Sequence, residues 1–289
     1  MKYKNVLLAG ATGYLGSYLL KVLLERQNQV IAIVRRPEKL QHSNENYLEI
    51  KQAEVTDPET LRDTCKGVDT VISTVGITRQ KDGLTYMDVD YQANMNLLEE
   101  AKNAGVRRFI YVSAINGDKH RHLKIFEAKE RFVDALKSSG LIYTIVRPNG
   151  FFSDMKDFLQ MAKSGRLYLF GSGNQKFNPI HGEDLARFIV DTIEDNNTEL
   201  SIGGPDVLSL NAIGELASIA LNKPVQIVHL PDFLRKLTLC GLRTFTSVKT
   251  YGPIEFFLTL MAEDNIAPSY GRHHLKDYFL EQTKIGSKW

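Results

Sequence analysis

The sequence predicts an α/β fold in which a doubly wound parallel sheet carries a smaller C-terminal region. Three observations predict it. Strand-like apolar runs alternate with helix-periodic runs over the first half of the chain, the order that separates a parallel sheet from a segregated α+β arrangement. Several of these strands, such as Val71-Ile72 and Phe109-Ile110-Tyr111-Val112, are continuously apolar, as strands buried on both faces require. The first of them runs directly through a glycine turn into a helix, in the stretch Val6-Leu7-Leu8-Ala9-Gly10-Ala11-Thr12-Gly13-Tyr14-Leu15-Gly16.

That stretch is suited to holding a pyrophosphate. Glycine tolerates positive φ and lets backbone approach a ligand closely, while a helix beginning near Tyr14 or Leu15 points N–H groups and the positive end of its dipole at an anion. Its helix repeats apolar residues at Leu15, Leu19, Leu20, Leu23 and Leu24, and a second strand follows at Val30 to Val34, as a Rossmann-like dinucleotide site requires. Strands are expected at 5–9, 29–34, 47–51, 70–74, 108–112 and 143–147. Helices are expected at 15–26, 59–65, 91–104 and 125–139, with Gly105 and Gly140 as stop signals.

After Arg147-Pro148 the pattern loosens into the glycine-rich loops 171–174 and 203–205, then a helix at 211–221. The expected division is therefore a dinucleotide-binding domain over 1–150 and a C-terminal substrate region over 151–289. Residues 175–195 are expected to interleave, since Asn178-Pro179-Ile180-His181 ahead of Asp184-Leu185-Ala186 reads as a strand end feeding a helix that packs back on the sheet.

Composition removes several function classes. Thirty-six basic against 34 acidic residues leave a net charge of +2, so no general affinity for nucleic acid is expected and any anion site must be local. The two cysteines, Cys65 and Cys240, give neither a disulfide framework nor metal-ligand spacing and fit a reducing compartment. The N-terminus MKYKNVLLAG enters a strand without the regions of a secretory signal, and no uncharged apolar run reaches the ~18 residues of a spanning helix. A cytoplasmic location and no bound metal are expected.

Cofactor choice is read at the end of the second strand. Arg35 follows Gly16 by nineteen residues and is followed by Arg36, where an NAD site usually presents an acidic residue to the ribose 2′-hydroxyl. A carboxylate repels a 2′-phosphate, whereas a guanidinium pairs with it through parallel charge-assisted hydrogen bonds. NADP(H) is favoured over NAD(H) on this ground, against the alternative of two solvated loop arginines.

The residues Gly10-Ala11-Thr12-Gly13-Tyr14-Leu15-Gly16, Val34-Arg35-Arg36-Pro37-Glu38-Lys39, Glu54-Val55 and Val71-Ile72-Ser73-Thr74-Val75-Gly76 occur in an order that resembles the atypical short-chain dehydrogenase/reductases, in the branch of NmrA-like and isoflavone-reductase-like NAD(P)H-binding proteins. Val89-Asp90-Tyr91 before Asn94, Tyr111-Val112-Ser113-Ala114, Ala128-Lys129-Glu130 and Thr144-Ile145-Val146-Arg147-Pro148 extend the resemblance over nearly the whole chain. It implies that Gly10, Thr12, Gly13, Tyr14, Leu15 and Gly16 cradle the dinucleotide and that Glu54 and Val55 sit beside adenine, where the family more often has Asp. It further implies that Ser73, Thr74, Val75 and Gly76 line the cofactor, that Ser113 lies near the nicotinamide, and that Pro148, Asn149, Gly150, Phe151 and Phe152 border nicotinamide and substrate.

One expected residue is absent. Catalytic members carry a Tyr-x-x-x-Lys pair whose spacing stacks both side chains on one helix face, where the ammonium lowers the phenol pKa. Here Lys129 fits the lysine, and Ile125 stands at the tyrosine position. The resemblance implies that Lys129 holds the nicotinamide ribose, and in isoflavone-reductase-like members a lysine alone is taken as the acid or base. His120 and His122, in the polar loop 118–122, are candidate proton donors, with a solvated basic loop as the alternative. His181 reads as structural and His273-His274 as surface residues.

From 230 to 261 the chain is apolar and aromatic, including Phe233, Leu237, Phe245, Phe256 and Phe257, with Arg235, Lys236, Arg243 and Lys249 interspersed. This suits a membrane surface or a large apolar substrate such as a quinone, isoprenoid or tetrapyrrole; the alternative is helices that cover the substrate pocket and pack as core. The expected function is an NADP(H)-dependent reductase of an apolar carbonyl, enone or quinone-like small molecule. The competing reading is a catalytically silent NAD(P)H-binding redox sensor or assembly factor that acts through a protein partner, which the absent tyrosine raises. A nucleotide-sugar epimerase, whose chemistry relies on that tyrosine, is disfavoured.

Overall fold

The computed structural model describes residues 4–40, 45–80 and 82–286. In chain order it contains β1 (Asn5–Ala9), α1 (Tyr14–Glu25), β2 (Gln29–Val34), β3 (Leu48–Gln52), β4 (Thr70–Ser73), α2 (Asn94–Asn103), β5 (Arg108–Val112), α3 (Lys124–Lys137) and β6 (Ile142–Pro148). Then follow α4 (Lys156–Lys163), β7 (Arg166–Phe170), β8 (Lys176–Phe177), α5 (Gly182–Asp191), β9 (Thr198–Ile202), β10 (Leu208–Ser209), α6 (Leu210–Leu221), β11 (Gln226–Leu230), α7 (Asp232–Phe245), α8 (Val248–Leu260) and α9 (Leu275–Gly286). The chain divides into two compact units, one made of 1–147 with 185–200, the other of 148–184 with 201–289.

The first unit holds a seven-stranded sheet in the order β3-β2-β1-β4-β5-β6-β9. The pairings of β1 with β2 and β4, of β2 with β3, of β4 with β5 and of β5 with β6 are all parallel. This is the Rossmann-like order, in which the chain reverses its direction of travel between β1 and β4 and opens a crevice at the carboxyl ends of those strands. The continuously apolar runs explain the arrangement: β4 and β5 are buried along their whole length, so both faces of the sheet need helical cover. One face packs Leu7, Val71, Phe109, Tyr111 and Ile145 against Leu97 and Leu98 of α2 and Phe132, Val133 and Leu136 of α3. The backbone resumes this unit at Leu185 after residues 175–184, which belong to the other one.

Two helices differ from the sequence reading. Residues 59–65 do not form an α-helix; Pro58–Leu61 makes one 3₁₀ turn, capped by the Asp57 carboxylate on the Glu59 N–H at 3.1 Å. Arg62 then leaves helical backbone with ψ 133°, which ends helical propagation, and Asp63 follows with a positive φ of 61°. The helix expected from residue 91 starts earlier, as a π-helix at Met87–Ala93 that continues into α2.

The second unit has its own core, in which Phe152, Phe158 and Leu159 meet Leu167, Leu169, Ile213, Ala217, Leu275 and Phe279. β11 pairs parallel with β7, and β10 pairs antiparallel with β8. Buried asparagines stitch its loops: Asn149 Nδ2 donates to Asn178 Oδ1 at 2.6 Å, and Asn178 Nδ2 donates to the Ala267 and Gly204 carbonyls at 2.9 and 3.1 Å. The reading of 230–261 as helices that pack as core holds in part, since Phe257 and Met261 pack against this core. On α7 Leu239 is buried, while Phe233, Leu237 and Phe245 are 63%, 65% and 85% exposed. Among the described residues no helix is long and apolar enough to cross a membrane.

Candidate functional site

The glycine turn builds the mouth of the crevice. Gly10 has φ +88°, and the Gly13 N–H donates to the Gly10 carbonyl at 2.9 Å, closing the turn that leads into α1. A Cβ on Gly10 would stand 3.3 Å from the Thr74 carbonyl carbon and collide with the Thr74 hydroxyl, which donates to the Ala9 carbonyl at 3.1 Å. Side chains are therefore excluded where the backbone must come close. Helix α1 begins with no side-chain cap and no acidic residue in its first turn, so its N–H groups and dipole remain directed at an anion.

A cleft of about 290 Å³ opens there, lined by Gly10, Thr12 and Gly13 from the turn and by Ile33, Val34 and Arg35 from the end of β2. Ala53, Glu54, Val55 and Thr56 follow β3, Thr74, Val75 and Gly76 follow β4, and Ile77, Arg79, Asp82, Leu84 and Val89 complete the wall. The donor turn, the uncapped helix and the apolar slot between β2 and β3 fit a dinucleotide. Arg35 Nε lies 3.7 Å from Glu54 Oε2, a loose and exposed pair at the rim.

Several expected residues lie elsewhere. Tyr14, Leu15 and Gly16 do not line the cleft; Leu15 is core, and Gly16 packs against the Gly10 carbonyl, where a Cβ would not fit. Arg36 is exposed and outside the lining. Ser73 is fully buried; its hydroxyl donates to Asn94 Oδ1 at 2.5 Å and accepts from the Val75 N–H at 3.2 Å, so it sets the loop rather than touching the cleft. Ser113 Oγ donates to Glu130 Oε1 at 3.0 Å, inside a buried cluster in which Arg147 grips Glu130 at 2.6 and 2.9 Å and Glu199 at 2.8 Å. Pro148, Asn149, Gly150 and Phe151 belong to the second unit, where the Asn149 amide is committed to Asn178 and to the Asn265 carbonyl.

Lys129, on α3, is not among the residues that line the cleft but lies next to Gly76, which is. Its ammonium pairs with Asp90 Oδ1 at 2.7 Å and stands 5.8 Å from the centre of the Tyr111 ring. A Cβ on Gly76 would lie 2.8 Å from Lys129 Nζ and 2.6 Å from Asp90 Oδ1, so the bare backbone of Gly76 adjoins the pair. Burial works against the charge of Lys129, but the Asp90 carboxylate, with Tyr111 beside it, holds its pKa above the ordinary lysine value. Burial also pushes the Asp90 carboxyl up, countered by Lys129 and by the Ile77 N–H at 3.2 Å. Ile125, at the position of the absent tyrosine, is buried and apolar.

Asp90 and Asn94 carry roles that sequence patterning alone did not assign. Asp90 sits in the π-turn, whose wider coil leaves carbonyls without their α-helical donors; the Asn94 amide serves the Asp90, Val89 and Val75 carbonyls at 3.0, 3.3 and 3.2 Å. The signal available was an acid and an amide four residues apart on a face otherwise made of Val89, Ala93, Leu97 and Leu98.

The histidines divide. His120 is half-buried over Phe126 at 6.4 Å between ring centres, and His122 is exposed. In the second unit His181 is buried, stacked on His273 at 4.2 Å, and burial with the neighbouring His273 lowers its pKa to about 4. His273 is thus half-buried rather than a plain surface residue, and its Nδ1 lies 2.8 Å from Asp184 Oδ1. His274 is exposed and paired with Asp206 at 2.8 Å. Among the described residues no group of three or more His, Cys, Asp or Glu could hold a metal ion. Cys65 is buried, which pushes its thiol up to about 12.

The sequence profile of the NAD(P)H-binding family matches residues 10–196, more than half of the chain. The chain belongs to the NAD(P)H-binding family. It is 30% identical to the chloroplastic divinyl chlorophyllide a 8-vinyl-reductase of Cucumis sativus, over 96% of this chain and 76% of that protein. It is 28% identical to the photosystem II assembly factor Ycf39 of Guillardia theta, over 67% of this chain and 62% of that protein. Among solved structures, the NADPH-dependent quinone oxidoreductase QOR2 of Escherichia coli, complexed with NADPH, superposes with a TM-score of 0.72 at 20% identity, covering 96% of this chain and 99% of that one. At this level of identity the superposition concerns the fold.

Proposed function

We propose that this NAD(P)H-binding protein is an NADP(H)-dependent reductase of an apolar, conjugated small molecule. The observation that carries the reading is the dinucleotide cleft with Arg35 at its rim and the Lys129–Asp90 pair adjoining Gly76. A bound nicotinamide supplies the hydride. The turn at Gly10 and Gly13 holds the pyrophosphate, Arg35 selects the 2′-phosphate, and the Lys129 ammonium offers hydrogen bonds to a ribose hydroxyl across the bare backbone of Gly76. Substrate class follows the four divinyl chlorophyllide 8-vinyl-reductases, which match over 95–98% of this chain. A conjugated tetrapyrrole vinyl group is therefore the first substrate to assay, ahead of the enones and quinones that the sequence suggests.

A second reading, a silent cofactor-binding assembly factor, is favoured by Ile125 and by the exposed apolar residues of α7. Purified protein incubated with NADPH and divinyl chlorophyllide, a quinone panel and an enone panel separates the two. Consumption of NADPH with loss of the vinyl absorption, or with reduction of a panel member, supports the reductase. Tight NADPH binding with no turnover on any of them, while a partner protein co-purifies, overturns it.

A further inference from the structure

We propose that Asp90 is a positioning residue that fixes Lys129 as a permanent cation beside Gly76, so that Lys129 serves as a hydrogen-bond donor and a positive field rather than as the acid that replaces the absent tyrosine. The inference deepens the dinucleotide-binding reading of the same cleft. It stands on three features that converge on one nitrogen.

The first is the ion pair itself, 2.7 Å long, with Asp90 fully buried and the Lys129 side chain 11% exposed. An ammonium in such surroundings keeps its proton while a carboxylate lies against it and sheds it readily once alone, because desolvation then acts unopposed. The second is how firmly Asp90 is held. Its Oδ2 accepts from the Ile77 N–H at 3.2 Å, and its backbone carbonyl accepts from the Asn94 amide at 3.0 Å, which in turn accepts from buried Ser73. The Asn94 amide thus fixes the Asp90 backbone, and the Ile77 N–H fixes one carboxylate oxygen while the other meets Lys129. The third is the packing from the other elements: Tyr111 of β5 presents its ring to the ammonium, and Glu130, next along α3, is occupied by Arg147 and Ser113. The charged and titratable groups that act on Lys129 are thus Asp90 from the π-turn and Tyr111 from the sheet, while Glu130, its neighbour on α3, is turned to Arg147 and Ser113, and Asp90 is the partner in contact.

A general acid must release its proton near the working pH. Lys129 is built for the opposite behaviour, and the proton that accompanies a hydride must come from another donor.

The test is the pH dependence of NADPH affinity, measured by fluorescence titration between pH 7 and 10 on wild type, Asp90→Asn and Lys129→Met. In wild type Kd should change less than about twofold over that range. In Asp90→Asn it should rise at least about tenfold toward pH 10 as the unpartnered ammonium loses its proton, while Lys129→Met should bind weakly with a flat profile. Parallel profiles for wild type and Asp90→Asn would mean that Asp90 merely packs, and would overturn the proposal. Should Asp90→Asn fail to fold, or NADPH fail to bind at all, the titration of the Lys129 Cε resonance in ligand-free wild type, assigned through Lys129→Met, decides the matter independently of the cofactor reading. A midpoint above the ordinary lysine range supports the proposal, and one within or below that range refutes it.

Discussion

Replacing Arg35 with alanine tests the selection of the 2′-phosphate, and the structure sets the size of the effect. Arg35 is 62% exposed and its nearest carboxylate, Glu54, is 37% exposed at 3.7 Å. Two unit charges at that distance attract by about 1 kcal/mol in water, and exposed pairs of this kind contribute about 0–1 kcal/mol once side-chain entropy is counted. Glu54 is thus a weak competitor that a phosphate displaces. A charge-assisted guanidinium–phosphate contact contributes about 1.5–3 kcal/mol. At 1.4 kcal/mol per factor of ten, Arg35→Ala should raise the Kd for NADPH by about 10- to 150-fold. NADH lacks the phosphate, so its Kd should move by less than about threefold. Isothermal titration of both nucleotides at low and at 0.5 M salt gives the numbers, and the gap should narrow at high salt because the site is exposed. Wild type that prefers NADH, or an Arg35→Ala variant that weakens both nucleotides equally, refutes the reasoning.

Three further predictions concern other parts of the molecule. Gly10→Ala forces a side chain into a residue at φ +88° and against Thr74; it should lower dinucleotide affinity by at least about tenfold and cost about 1–2 kcal/mol of stability, read by nucleotide titration and by urea unfolding. Arg147→Met leaves Glu130, 1% exposed, as a buried carboxylate without its bidentate partner; urea unfolding should show a loss of about 3–5 kcal/mol, reduced in the double variant with Glu130→Gln. His181 has its folded pKa lowered to about 4 from 6.5, so the unfolded chain binds the extra proton first. Its contribution to stability is therefore present above pH 6.5 and lost as the pH falls toward 4. Thermal unfolding of His181→Phe should show a shallower acid decline than wild type across that window, and an unchanged slope would show that His181 does not titrate there.

Much of the dinucleotide side was legible because its physics is local. A glycine turn between a buried strand and an amphipathic helix leaves a signature in adjacent residues, and the parallel strands announce themselves as unbroken apolar runs. Gly10, Thr12, Gly13, Arg35, Glu54, Val55, Thr74, Val75 and Gly76 all line the cleft. What could not be read were the contacts between segments distant in sequence. Ser73 and Ser113 stand at strand ends where a hydroxyl could face a ligand or the interior, and Asn94 and Glu130 turn them inward. The helix expected at 59–65 stops after one 3₁₀ turn because Arg62 leaves helical backbone with ψ 133°, a stop that no glycine or proline in that segment announces. On α7 an apolar pattern marks residues that packing leaves uncovered, so hydrophobicity alone misreads which of them are core.

The π-turn at Met87–Ala93 makes chain length, more than residue choice, the sensitive variable of this segment. Such a turn closes its hydrogen bonds one residue later than an α-helix does. Deleting a single residue there would restore ordinary helical register and rotate the preceding side chains by about 100°, carrying position 90 off the face that meets Lys129. An insertion or deletion within these seven residues would therefore switch the electrostatics beside Gly76 and, of the side chains that line the cleft, displace only Val89 from within the turn.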